Sequence, residues 1–138
     1  MSGHIFFKER WYGFDDALYT AARLLEILAA DQRVPAQVFA ALPDAVCTPE
    51  LRVEMVEGEH FRFMEQLCSR QLFPDARVST IDGIRAEFSD GWGLVRASNT
   101  TPSLIIRFEA DTEEALQRIQ ETFRTAILAI EPSLNLPF

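Results

Sequence analysis

Gly91-Trp92-Gly93-Leu94-Val95-Arg96-Ala97-Ser98-Asn99-Thr100-Thr101-Pro102 runs directly into Ser103-Leu104-Ile105-Ile106-Arg107-Phe108-Glu109-Ala110. Trp92 to Ala97 and Leu104 to Phe108 read as two strands, and the hydroxyl-rich segment Ser98 to Pro102 reads as the turn between them. Pro102 has no N–H and presets its own φ, which suits the exit from such a turn. The turn gathers one fixed cation, three hydroxyls and one amide. Arg96 offers a planar fork of donors, Ser98, Thr100 and Thr101 offer hydroxyl protons, and Asn99 offers an amide. Turn N–H groups add to the set. This inventory suits a small oxyanion such as phosphate. Taken on the residues alone, an ordinary hairpin turn with an arginine close by accounts for the stretch as well.

Outward from that hairpin, the pattern is α+β. Glu50 to Val56 alternates apolar and charged residues, with Leu51, Val53 and Met55 to one side. Glu59 to Phe73 repeats apolar residues at helical spacing and stops before Pro74. Val78 to Ile81 and Ile84 to Phe88 flank Asp82-Gly83, a two-residue hairpin signal. Thr112 stands as an N-cap for a last helix, Thr112 to Glu131, whose Glu113 and Glu114 favour the helix dipole. These elements predict an antiparallel sheet of four or so strands with both helices on one face.

Upstream, Ile5 to Phe7 is a short apolar run suited to a buried strand. Phe14 to Ala30 reads as a helix through Leu18, Ala21, Ala22, Leu25 and Leu28, with Asp15 and Asp16 in its first turn. Val34 to Leu42 is a shorter helical pattern. Pro43 and Pro49 bracket a linker, which sets the domains at residues 1–43 and 44–138.

The chain has 138 residues, 48% of them hydrophobic, 25% charged, and a net charge of −8. That length holds one domain with a real core. The acidic balance argues against nucleic acid and against an anionic membrane surface. It does not exclude a phosphorylated ligand, which one local cationic site can hold. No apolar run reaches membrane-spanning length, and no signal-like segment opens the chain, so a cytoplasmic location is expected. Cys47 and Cys68 are not spaced as a metal knuckle or redox pair and read as free thiols.

Two motifs carry a family resemblance. Arg96 to Pro102, followed by Leu104 and by Arg107-Phe108-Glu109-Ala110, resembles the C-terminal phosphate-binding loop of the α-D-phosphohexomutase superfamily. The Asn-Thr-Thr-Pro version is most similar to its bacterial phosphomannomutase/phosphoglucomutase branch. Ser2-Gly3-His4, followed by Phe6-Phe7-Lys8-Glu9-Arg10-Trp11-Tyr12-Gly13-Phe14-Asp15-Asp16, resembles that family's sugar-recognition loop.

The resemblance implies a four-stranded, TBP-like C-terminal domain preceded by a strand–helix remnant of the previous α/β domain. It implies a phosphate site at Arg96, Ser98, Asn99, Thr100 and Thr101, and a sugar site at Ser2, Gly3 and His4, with His4 a possible proton carrier. Members of this family interconvert hexose 1-phosphate and hexose 6-phosphate of glucose or mannose, using a phosphoserine, Mg²⁺ and a bisphosphorylated sugar activator. The sequence holds no Ser-His-Asn-Pro-like segment and no Asp-Gly-Asp-type metal loop. The expectation is therefore a C-terminal piece, inactive alone, with no metal ligands of its own. It would be monomeric and work on a hexose phosphate with the remaining mutase domains. The alternative is a stand-alone binding module for a phosphorylated sugar.

Other residues have duller expected roles. Lys8, Glu9 and Arg10 read as a solvated charge run, Trp11 and Trp92 as packing residues, and His60 as exposed. Arg107 could reach the phosphate, but an ion pair with an acid such as Glu87 is the expected arrangement.

Overall fold

The structure, a computed structural model, describes residues 3–138. The chain divides into two compact units, Met1–Pro43 and Asp44–Phe138.

In the first unit, α1 spans Ala17–Ala30 and α2 spans Pro35–Ala40. Asp16 is the N-cap of α1 rather than a first-turn residue: its carboxylate accepts from the Tyr19 N–H at 2.9 Å. Pro35 opens α2, where a missing N–H costs nothing. The expected strand at Ile5 to Phe7 reduces to one antiparallel bridge between Phe6 and Asp15. A chain reversal explains this: Arg10 takes φ 58° and Gly13 φ 82°, and Gly13 N–H bonds Phe7 O at 2.9 Å. Within the turn, Trp11 stacks on Tyr19 with ring centroids 4.3 Å apart. No residue of α1 is buried, and Leu18 is 85% exposed, so the apolar face read from the sequence lies uncovered.

The second unit is α+β. Its strands are β1 Val46–Cys47, β2 Leu51–Glu54, β3 Arg77–Ser79, β4 Ile84–Phe88, β5 Gly91–Ala97 and β6 Ser103–Ala110. Helix α3 spans Glu59–Ser69 and α4 Glu113–Leu128. All pairings are antiparallel, in the order β1-β6-β5-β4-β3, with β2 also on β6. The sheet thus has six strands, not four. Strands β1 and β2 run in tandem along β6, where Val46 pairs with Ala110 and Leu51 with Ile106. Between them Pro49 offers no N–H, and Thr48 bridges the break: its N–H donates to Phe108 O and its hydroxyl accepts from Phe108 N–H.

The sheet's pleat sorts its residues. Ile84, Ala86, Val95, Leu104, Ile106, Phe108 and Ala110 lie in the core with Phe63 and Leu67 of α3 and Ile119, Phe123 and Ile127 of α4. Arg85, Glu87, Trp92, Leu94, Arg96, Arg107 and Glu109 alternate with these core residues along the strands and so point to the opposite face. Thr112 caps α4 as its sequence suggests, its hydroxyl accepting from Ala115 N–H at 3.2 Å. His60 is a correction. It is 2% exposed, because His60, Phe63, Met64 and Leu67 form the inward stripe of α3.

The Asp82-Gly83 hairpin also differs from expectation. The connection runs from Thr80 to Gly83, because a two-residue turn needs positive φ at its first central position, whether type I′ or II′, and Asp82 lacks it while Gly83 has φ 75°. Among the described residues, no helix is long and apolar enough to cross a membrane.

Candidate functional site

Strands β5 and β6 hold the Ser98–Pro102 turn between them, with Ala97 paired to Leu104 and Arg96 to Ile105 at its base. Ser98 N–H donates to Ser103 O at 2.9 Å and closes the turn's base. Met55 N–H donates to Pro102 O at 2.8 Å and ties the turn to the segment after β2.

Ser98 shapes the turn from inside. It is 6% exposed, and its Oγ accepts from the N–H groups of Thr100 at 3.3 Å and Thr101 at 3.2 Å. The Thr101 hydroxyl donates to the same oxygen at 3.0 Å and lies 2.9 Å from the buried Ser103 Oγ. Asn99, Thr100 and Thr101 are exposed and form the turn's outer surface. Asn99 does not take the left-handed conformation that asparagine turns often use; among the described non-glycine residues only Arg10 has positive φ.

Arg96 lies on the open face of the sheet, two residues before the turn. Its Nη1 donates to Asp82 Oδ2 at 3.1 Å. Arg85 and Arg77 both pair with Glu87, whose carboxyl is held below its ordinary value first by Arg77 and then by Arg85. Arg52 pairs with Glu50. Arg107 has no ion pair among the described residues, and its Nε is buried without a hydrogen-bond partner. The expected pairing of Arg107 with Glu87 fails because Arg77 and Arg85, on β3 and on Glu87's own strand, occupy that carboxylate. Trp92 is half-buried on this face, with the Arg85 guanidinium 3.9 Å from its ring centre.

In the first unit, His4 Nδ1 is hydrogen-bonded to Asp15 Oδ2. The contact fixes one ring nitrogen and leaves Nε2 for a ligand. Gly3 has φ 78° in open space. Ser2 lies outside the described residues. Arg10 of the expected charge run pairs with Glu26. Among the described residues, no group of three or more His, Cys, Asp or Glu is placed to hold a metal ion.

Sequence reasoning missed Asp15 and Asp82, the acids that meet His4 and Arg96. Asp82 sat in a dipeptide read only as a turn. Spacing alone gave no sign that the tip of one hairpin reaches the arginine of another.

The profile described as phosphoglucomutase/phosphomannomutase, C-terminal domain, matches residues 50–126. The profile for the alpha/beta/alpha domain III of the same proteins matches residues 1–46. A phosphomannomutase/phosphoglucomutase of Pseudomonas aeruginosa PAO1 is 52% identical over 138 residues, covering 100% of this chain and 30% of the relative. A phosphoglucomutase of Neisseria gonorrhoeae is 52% identical over 139 residues, covering 99% of this chain and again 30% of the relative. The crystal structure of a phosphoglucomutase/phosphomannomutase family protein from Burkholderia thailandensis superposes with a TM-score of 0.90 at 52% identity, over 100% of this chain and 29% of that one. The chain thus spans about 30% of the length of these curated relatives.

Proposed function

Because the chain belongs to the phosphoglucomutase/phosphomannomutase family, we propose that it is the phosphate-holding portion of an enzyme that interconverts hexose 1-phosphate and hexose 6-phosphate. The observation that carries this reading is the turn after Arg96. Its buried half, Ser98 and Ser103, is committed to its own shape, while its outer half presents Asn99, Thr100 and Thr101 beside a guanidinium.

A guanidinium fork and rotatable hydroxyls read a phosphoryl group and little else. Such a site grips either end of a hexose bisphosphate that turns over between two phosphoryl transfers. Arg107 adds an uncompensated cation to the same sheet face. In the first unit, Gly3 and His4 meet the sugar, with Asp15 orienting His4 for proton transfer. The nucleophilic serine and the Mg²⁺ ligands belong to upstream domains with which this portion closes the active site in the cytoplasm. The donor set here, a guanidinium with hydroxyl and amide groups, does not fit Mg²⁺. A bisphosphorylated sugar is the activator of the whole enzyme, which takes mannose or glucose phosphates.

The test is a titration of hexose phosphates and inorganic phosphate followed by amide NMR. Shifts centre on Arg96 to Thr101 in the wild type. Arg96→Ala weakens binding by about 1.5–3 kcal/mol, on the order of ten- to a hundredfold. Shifts that survive unchanged in Arg96→Ala refute the phosphate-site reading. In a coupled mutase assay the 138-residue chain alone gives no turnover; turnover that follows the purified chain refutes the division of labour between domains.

A further inference from the structure

We propose that Asp82 is a built-in counter-anion for Arg96, which an incoming phosphoryl group must displace. The tip of the β3–β4 hairpin thereby sets the affinity of the Arg96–Thr101 turn. The inference rests on the reading of that turn as a phosphate site and adds to it a residue that regulates occupancy.

The contact follows from how the hairpin tip is seated. Gly83, at φ 75°, lies so close to β5 that a Cβ there would stand 2.6 Å from Arg96 Cβ and 2.7 Å from Arg96 Cα. The backbone next to Asp82 is therefore pressed onto the backbone of Arg96, and the carboxylate is delivered to the guanidinium by the fold. Tip and turn also border one open cavity of about 350 Å³, which Asp82 and Asn99 line together with residues of α3 and which Arg96 does not line.

Charge decides what this contact does. A phosphate monoester carries about −1.5 to −2 near neutral pH. Arg96 and Asp82 together carry none, so a phosphoryl group approaching the intact pair meets no net attraction and one repelling carboxylate. Asp82 is 66% exposed in its side chain and Arg96 33%. An ion pair that open to water is weak, so Asp82 turns out to solvent at little cost. The hairpin backbone stays in place, because Gly83 is locked against β5. Arg96 is thus held ready while the site is empty and released to the ligand when it arrives. The standing competition keeps the phosphate from binding too tightly to leave.

Asp82→Asn removes the charge and keeps a dipeptide suited to the turn. Asp82→Ser is a second neutral variant, immune to the deamidation that would return Asn-Gly to a carboxylate. Inorganic phosphate is titrated into the full chain and followed by amide NMR. Both variants bind roughly two- to fivefold more tightly than wild type. In an Arg96→Ala background the same substitutions give no gain. Glu65→Gln, which removes a charge elsewhere on the cavity wall, gives none either.

Unchanged or weaker binding by folded Asp82 variants overturns the proposal. So does a gain that persists without Arg96 or that Glu65→Gln reproduces, since either would reflect net charge alone. These outcomes leave the turn's role as a phosphate site standing. Absence of any saturable response at Arg96 to Thr101 in the wild type and in both Asp82 variants overturns both readings together.

Discussion

Gly93 of β5 lies directly beneath the ring of Phe123 of α4: a Cβ at Gly93 would stand 2.7 Å from Phe123 Cζ and 2.9 Å from Cδ2. Phe123 also meets Phe73 and Phe108, with centroids 4.6 and 5.3 Å away. The missing side chain is the slot into which the central ring of the core fits. Gly93→Ala is expected to lower stability by about 1–3 kcal/mol through overpacking. Urea unfolding measures the loss. In a Phe123→Leu background the same substitution costs less, and strict additivity of the two changes would exclude the contact as the cause.

The turn after Arg96 separates residues that build it from residues that face outward. Ser98→Ala leaves two backbone N–H groups without their acceptor and is expected to cost about 1–2 kcal/mol of stability. Amide exchange at Thr100 and Thr101 accelerates in that variant. Asn99→Ala, on the outer surface, stays within about 0.5 kcal/mol of wild type. Equal effects of the two substitutions on folding would show that the turn holds its shape without Ser98.

His60 is buried with its Nδ1 unpartnered, beside the ring of Phe61 at 4.1 Å. An unmet polar atom in a packed stripe is a cost, so His60→Leu is expected to match or exceed wild-type stability by up to about 1 kcal/mol. A loss larger than about 1 kcal/mol in thermal or urea unfolding would mean that Nδ1 is served by bound water.

Glu87 gives a pH signature. Its folded carboxyl is held below the ordinary 4.5 by hydrogen bonds first from Arg77 and then from Arg85. A depressed folded value means that the contribution is present above the unfolded value and is lost as pH falls through the folded one. Glu87→Gln should therefore lower the melting midpoint at neutral pH, and the two melting curves should converge in acid below the usual carboxylate range. A gap that stays constant with pH would assign the effect to packing.

The strands around the turn were legible because alternation over Ile84–Phe88, Gly91–Ala97 and Ser103–Ala110 is long enough to carry a period. The last helix announced itself through Thr112 and its two glutamates. Val46–Cys47 did not, since two residues before a proline carry no pattern. The inward stripe of α3 was written at spacing 60, 63, 64 and 67, yet a histidine at its head concealed its own burial. The Asp82–Arg96 pair joins the tip of one hairpin to the strand of the next, and such a meeting is set by the sheet's register rather than by local sequence. Helix α1 shows the converse: its apolar periodicity was legible, and its face lies uncovered.

The tandem arrangement of β1 and β2 bears on how this sheet behaves in a crowded solution. Its outer margin along β6 is broken at Pro49, which presents no donor to an arriving strand. The opposite margin is β3, only three residues long and opening with the charged Arg77. Neither side offers the long, flat ladder on which a foreign chain could template itself. The second unit is therefore built to resist fibrous association on its own, whereas the bare apolar face of α1 is where sticking, if the chain is kept alone, will begin.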